Sequence, residues 1–168
     1  MLKTKYWTGH MSFEIQELEL DSQIPEDSYN IILKDRHEHN ALTRIVVNDV
    51  FYIYLYWSSE SAFSNTVETL VLPEKYILFI GSGCTSAQVN LNNSTLIRQR
   101  EVIEFTGFYK YDNCIIECCY GECTAFNLDG DILNHHELSM MWGIEFKNGC
   151  FYTNCHDNGL RKLVELNT

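Results

Sequence analysis

Cysteine and histidine are the residues of this chain with the most to offer chemically, seven of one and six of the other. Four of the cysteines are crowded. Cys114, Cys118, Cys119 and Cys123 form the pattern C-x3-C-C-x3-C, with Cys150, Cys155 and His156 further along. Zinc takes four ligands, usually supplied in pairs spaced C-x2-4-C on tight turns. Here the first three cysteines fall in a stretch that alternates like a strand. Side chains 118 and 119 then point to opposite faces, and only one can share a site with Cys114. Their expected role is that of small buried hydrophobes, since free cysteine is among the most buried residue types. His37-Glu38-His39 would place two imidazoles on one face of a strand, with His135 or His136 as a third ligand. No spacing ties a further ligand to the pair, and the segment reads as a solvated loop. Gly81-Ser82-Gly83-Cys84 follows a strand and presents a thiol, but a nucleophilic thiol needs an adjacent base and a lowered pKa. No G-x-S-x-G, Walker A, G-x-G-x-x-G, H-E-x-x-H or deaminase signature occurs. Carboxylates are too numerous for one pair to stand out for general acid–base work. The expectation is a protein with no catalytic residues, no metal and no cofactor.

What stands out instead is acid beside aromatics. Glu14, Glu17, Glu19, Asp21, Glu26 and Asp27 lie within fourteen residues of each other. Tyr52, Tyr54 and Tyr56 share one face of a strand and would neighbour the acids in a sheet. Carboxylates with tyrosines imitate phosphates and stacked bases, so such a surface would fit the basic cleft of a nuclease. These nine residues are the expected partner-binding set.

The charge balance points the same way. The net charge is −11, with 23 acidic against 12 basic side chains. The excess is spread along the chain: residues 1–68 carry 11 acidic and 5 basic side chains, and residues 69–168 carry 12 and 7. Nucleic acid binding needs Lys and Arg to displace counterions, and anionic membranes are disfavoured for the same reason. A basic protein partner would be attracted and steered. Residues 1–7 lack the apolar core of a signal peptide. The longest apolar run, Val50 to Trp57, is far short of a membrane span. A cytoplasmic location is expected, where thiols stay reduced. Seven is in any case an odd number for a complete disulfide framework.

The elements that must position these residues read as strands. Aromatics are 13% of the chain and suit pleated, half-buried surfaces. With 168 residues, two prolines and no Pro/Gly/Ser-rich linker, one globular domain over 1–168 is expected. Apolar positions 13, 15, 18 and 20 predict a strand with a bulge near Gln16–Glu17. Pro25-Glu26-Asp27-Ser28 is a turn signal, and Ile31 to Leu33 a short strand. Arg44 to Val47 and Val50 to Trp57 predict a hairpin about Asn48-Asp49. In its second strand Phe51, Ile53, Leu55 and Trp57 make the better core face, which leaves the tyrosines nearer solvent. Residues 58–66 read as a loop or one short helix. Lys75 to Ile80 is a strand broken by Gly81-Ser82-Gly83. Ala87 to Leu91 and Thr95 to Ile97 would pair around a left-handed turn at Asn92-Asn93. Then come Glu101 to Phe108 and Asn113 to Tyr120. Asp129-Gly130, Asn148-Gly149 and Asn158-Gly159 are type I′ hairpin signals, implying a C-terminal meander of 122–128, 131–134, 142–147, 150–155 and 160–166. The fold class expected is mainly β, an antiparallel sandwich or partly open barrel with little helix.

Two resemblances follow. Thr124-Ala125-Phe126-Asn127-Leu128-Asp129-Gly130-Asp131-Ile132-Leu133 resembles a blade segment of quinoprotein-type β-propellers, in which an Ala-x-Asn/Asp stretch leads into a Gly turn; Asn134 stands near the place of that pattern's Trp. It supports antiparallel β and is carried no further, neither to a propeller nor to its cofactor. In size, acidity and lack of a signal segment or catalytic motif, the chain is similar to bacterial immunity proteins of contact-dependent growth inhibition systems. That similarity lies in general character and carries over no residue. It implies a non-enzymatic inhibitor that neutralises a basic toxin such as a nuclease. The rival readings are a carbohydrate- or small-ligand-binding β-sandwich stacking Tyr and Trp on sugar, a subunit of a larger assembly, and a metal or thiol enzyme.

Overall fold

The computed structural model describes residues 3–25, 30–36, 38–60, 66–111, 113–137, 141–147, 150–155 and 159–165. Among the described residues every regular element is a β-strand, as the alternation and aromatic content require. The strands are β1 (Lys3–Thr8), β2 (Met11–Leu18), β3 (Asn30–Lys34), β4 (Ala41–Val47), β5 (Phe51–Trp57), β6 (Glu68–Leu72), β7 (Ile77–Ser82) and β8 (Thr85–Asn90). They continue as β9 (Thr95–Glu101), β10 (Phe105–Tyr111), β11 (Cys114–Cys119), β12 (Glu122–Asn127), β13 (Ile132–Glu137), β14 (Met141–Lys147), β15 (Cys150–Cys155) and β16 (Gly159–Glu165). They form four sheets, in the orders β1-β2-β4-β5-β3, β6-β7-β8-β9, β10-β11-β12-β13 and β14-β15-β16. The last three are consecutive up-and-down antiparallel meanders. The chain divides into two compact units, Met1–Phe105 and Thr106–Thr168.

The first unit has its core between the first two sheets. Phe13 of β2, Ile45 and Val47 of β4, Phe51, Ile53, Leu55 and Trp57 of β5, and Ile31 and Leu33 of β3 meet Leu78, Ile80, Ala87 and Val89 of β7 and β8. The expected core face of β5 is therefore the real one. Each large apolar side chain buried this way contributes ~1.5–3 kcal/mol. The indole of Trp57 donates to Thr43 Oγ1 at 3.0 Å, so the one polar atom of the ring has a partner inside the core.

Local turn chemistry sets the connections. Asn48 and Asp49 both have positive φ, 51° and 59°, and Val50 N donates to Val47 O at 3.2 Å. That is the φ pattern of the type I′ turn, whose twist matches that of the strands it joins. At Asp129-Gly130 the expected I′ turn is corrected. Gly130 N donates to Asn127 O at 3.1 Å and Asn127 N to Asp131 O at 2.9 Å, and Gly130, at φ 83°, is left-handed while Asp129 is not. This is a three-residue loop ending in a left-handed residue. Asn127 Oδ1 accepts from Asp129 N and Asp131 N, at 2.9 and 2.8 Å. Asn148, Gly149 and Asn158 lie outside the described residues, but the five strands of the expected C-terminal meander are all present as β12 to β16.

Further corrections concern connections. β2 carries no bulge: its register against β4 runs unbroken from Phe13↔Val47 to Leu18↔Leu42. Between β8 and β9 the left-handed residue is Ser94, φ 56°, not Asn92 or Asn93; Asn90 Oδ1 accepts from the amides of those two asparagines instead. The expected strand at 101–108 is split between β9 and β10, because Val102 N and Phe105 N turn aside to donate to Cys84 O and Gly83 O. β1, β6 and the parallel pairing of β3 with β5 had no counterpart in the sequence reading. β9 lies against the C-terminal end of β3, where Gln99 Nε2 donates to Lys34 O at 3.0 Å. Covering an edge strand in this way blunts its open hydrogen-bonding groups.

Candidate interaction surface

The face of the first sheet turned away from its core carries the tyrosines. Register across the strands places Glu14↔Val46↔Tyr52↔Asn30, Gln16↔Arg44↔Tyr54↔Ile32 and Leu18↔Leu42↔Tyr56↔Lys34 in rows. Glu14, Tyr52, Tyr54 and Tyr56 therefore do share one face. That face is less open than expected. Tyr54 is only 2% exposed, while Tyr52 and Tyr56 are half-buried. The reason is β3, which adds a strand outside β5, together with the cations laid over the rings. Arg44 lies 5.9 Å from the Tyr52 centroid and Lys34 Nζ 5.6 Å from that of Tyr56. Tyr52 stacks on Tyr54 with centroids 6.5 Å apart, and His39 tilts against Tyr56 at 5.8 Å. Gln16, buried in the middle, donates to Glu14 Oε1 and accepts from Arg44 through Nε at 3.1 Å and through Nη2. These bonds explain how a polar side chain occupies an interior position of β2 without a bulge to expel it.

The other acids lie elsewhere. Glu17 opposes Thr43, on the opposite side of β2 from Glu14. Glu19 and Asp21 follow the strand, in a turn closed by Ser22 N donating to Glu19 O at 3.0 Å. Glu17, Glu19 and Asp21 are all exposed, and Leu20 among them is 44% exposed. Glu26 and Asp27 lie outside the described residues.

Asp35 is an acid that sequence reasoning passed over. It follows β3 at the same end of the sheet, yet it is 3% exposed. Its amide donates to Tyr56 O at 2.9 Å, and its Oδ2 accepts from Cys84 N at 2.7 Å. Cys84 and Gly83 are the two turn residues between β7 and β8, with Ser82 paired to Thr85. Gly83 has φ 53°, the left-handed first position of a two-residue hairpin. A Cβ there would stand 2.6 Å from Asp35 Oδ2. The Gly-Ser-Gly-Cys stretch is thus a structural turn that closes on a buried carboxyl group. The only signal in the sequence was its glycines.

In the second unit, the β11–β12 register puts Cys118 opposite Cys123 and Cys119 opposite Glu122. Residues 118 and 119 do face apart. Among the described residues no group of three or more His, Cys, Asp or Glu side chains could hold a metal ion. Cys114, Cys118, Cys119, Cys123 and Cys150 are buried thiols and Cys84 is half-buried. Burial pushes the Cys114 thiol from its ordinary 9.0 up to about 11, and pushes Cys118 well up too, helped by the neighbouring Cys123. A polar row unseen in the sequence crosses the same sheet: Glu117↔Thr124↔His135. Thr124 Oγ1 and His135 Nδ1 are 2.9 Å apart, and His135 Nε2 lies 3.7 Å from Glu122 Oε2. Glu117 and Thr124 are each 1% exposed, while His135 stands exposed at the outer end of the row. Of the proposed histidine ligands, His37 lies outside the described residues, and His136 sits opposite Cys123.

The fold and this surface define an all-β protein of antiparallel meanders with an aromatic–cationic sheet face and a separate acidic strand end. No protein-family model and no curated protein matches the chain. Among solved structures it is similar to BamB from Moraxella catarrhalis, at 10% identity and a TM-score of 0.47 over 95% of this chain and 41% of that one. It is also similar to Kluyveromyces lactis Hsv2, at 9% identity and 0.40, over 77% and 42%. A third is the computationally designed Ika4 protein, at 11% identity and 0.44, over 81% and 90%. The chain thus spans about two fifths of the length of the first two.

Proposed function

We propose that the chain is a non-catalytic protein-binding module that takes a basic protein partner onto the exposed end of β2, with Glu17, Glu19 and Asp21 supplying the charge and Leu20 an apolar contact. Its most specific form is an inhibitor that neutralises a basic toxin, the role that the similarity to immunity proteins implies. One observation carries this reading. Three exposed carboxylates and an exposed leucine fall within the five residues 17–21 at one strand end, while Arg44 and Lys34 of the same sheet lie over tyrosine rings. The three carboxylates add to the negative field of a chain whose net charge is −11. Such a patch steers a cationic partner and raises its association rate. Glu14, Tyr52, Tyr54 and Tyr56 then act as the scaffold behind the patch and not as its contact surface.

The test is kinetic. A basic partner is recovered by co-purification from the native host, identified and purified. Association is then measured for the wild type and for the triple variant Glu17→Lys/Glu19→Lys/Asp21→Lys, at several salt concentrations. The wild-type rate should fall steeply with salt, and the triple variant should bind at least about tenfold more slowly at low salt. Equal rates for the two proteins, or a salt-independent rate, would refute the reading.

A further inference from the structure

The strongest unassigned feature is in the β11–β12 hairpin, far in sequence from the proposed docking end, and its argument is independent of that function. Cys118 and Cys123 are register partners, and their sulfurs are 3.4 Å apart in a buried contact. The strands are joined by Tyr120 and Gly121 alone, so Cys119↔Glu122 is the pair next to the turn. A two-residue turn closes on a hydrogen-bonded pair. Alternation then makes Cys118↔Cys123 a non-hydrogen-bonded pair, where Cα atoms lie only about 4.5 Å apart and side chains are closest. A disulfide spans Cα separations of about 4.4–6.8 Å. The site therefore reaches the bonded geometry without moving either strand.

We propose that Cys118 and Cys123 are a site of reversible oxidative modification, a cross-strand dithiol that a hydroperoxide converts to a disulfide. The step balances as two thiols and one hydrogen peroxide giving one S–S bond and two waters. One sulfur, deprotonated, attacks a peroxide oxygen, breaks the O–O bond and becomes a sulfenic acid with loss of the first water. The second sulfur then attacks the sulfenic sulfur, and its hydroxyl leaves with a proton as the second water. A low-molecular-weight thiol restores the pair by exchange. Competing partners are placed wrongly. Cys119 projects from the opposite face, opposite Glu122. Cys114 is a full four residues back along β11, opposite Asn127. Burial of both sulfurs makes the couple slow to react in the closed hairpin, since oxidation starts from an accessible thiolate. The bond forms as the two-residue turn opens and closes. Once formed, it pins β11 to β12 beside that turn.

The full-length chain is exposed to hydrogen peroxide under native conditions, remaining thiols are alkylated, and peptides are mapped by mass spectrometry with and without reductant. Because Cys119 is adjacent, mapping is repeated on Cys119→Ser. The expected result is one intramolecular linkage, Cys118 to Cys123, with the loss of two hydrogens. It should persist in Cys119→Ser, vanish in Cys118→Ser and in Cys123→Ser, and reverse with dithiothreitol. The wild type in urea, where the hairpin no longer aligns the pair, should give mixed linkages instead. The wild-type map keeps the proposal open to refutation even where a serine variant fails to fold. A native map dominated by links through Cys119, Cys84 or Cys150 would overturn it, as would intermolecular links or intact thiols at 118 and 123 after Cys84 has been oxidised.

Discussion

Two groups of acids leave the same end of the first sheet and meet opposite fates. Asp35, after β3, is buried and takes the Cys84 amide at 2.7 Å. Glu17, Glu19 and Asp21, at the end of β2, are exposed. The difference lies in what packs over each strand end. The β7–β8 turn closes over β3, and its Gly83 leaves room for the Asp35 carboxyl group and no more. Exposed Leu20 marks the end of β2 as open. The lesson is that net charge of −11 is not one property: some acids are structural parts with assigned donors, and others are free to set the field outside the protein.

That contrast can be broken from the closed side first. Phe105 holds the turn from behind; its amide donates to Gly83 O at 2.7 Å, and its ring fills the space over Gly81, where a Cβ would stand 2.3 Å from it. Phe105→Ala should cost ~3–5 kcal/mol in urea unfolding followed by tryptophan fluorescence. Gly81→Ala should also destabilise, by ~1–3 kcal/mol, because the added methyl meets an aromatic ring and not a flexible chain end. Asp35→Ala leaves the Cys84 amide without its acceptor and should cost ~1–3 kcal/mol. Asp35→Asn keeps an acceptor oxygen and should cost less. Equal losses for the two Asp35 variants would show that the turn amide is not what the carboxyl group serves.

A pH titration sharpens the same comparison in the second unit, where buried thiols replace buried acids. The folded state holds Cys114 protonated up to about 11, against an ordinary 9.0. Between these values the unfolded chain has already lost a proton that the folded chain keeps. Unfolding therefore releases protons, and stability falls as pH rises. The contribution is intact below pH 9.0 and lost as the pH climbs towards about 11, with Cys118 adding in the same direction. Unfolding curves across this range should show the decline, and Cys114→Ser should flatten it. The open side should give the smallest stability effect. Glu17→Lys/Glu19→Lys/Asp21→Lys is expected to shift unfolding by no more than ~0.5 kcal/mol per site, while slowing partner association as described above. A large loss of stability in this variant would place those acids with Asp35 and erase the contrast.

Much of the fold was legible because period-2 alternation is a local signal. Phe51, Ile53, Leu55 and Trp57 could be assigned to the core from their own spacing, and β12 to β16 from apolar runs between turn residues. Asn48-Asp49 was readable as a hairpin for the same reason. The turn at Asp129-Gly130 was visible, but its loop length depends on where Asn127 and Asp131 pair, which local chemistry does not decide. β1 and β6 escaped notice because Lys3–Thr8 and Glu68–Leu72 have weak alternation and become strands by pairing with β2 and β7. Of the expected binding residues, Glu14 and the three tyrosines are together, yet the sequence could not foresee Arg44 and Lys34 over those rings. Both cations come from other strands.

By itself, then, the amino-acid sequence determined that this chain is a β protein, where most strands lie, which face of β5 is apolar and that acid exceeds base. Those are sums over residues or patterns within a few neighbours. Tertiary structure alone decided that Tyr54 is buried, that Asp35 is satisfied inside while Glu17 faces water, and that Cys118 touches Cys123 and not Cys119. Each depends on register between strands and on what covers a strand end, and a shift of one residue in pairing would reverse which side chain faces in.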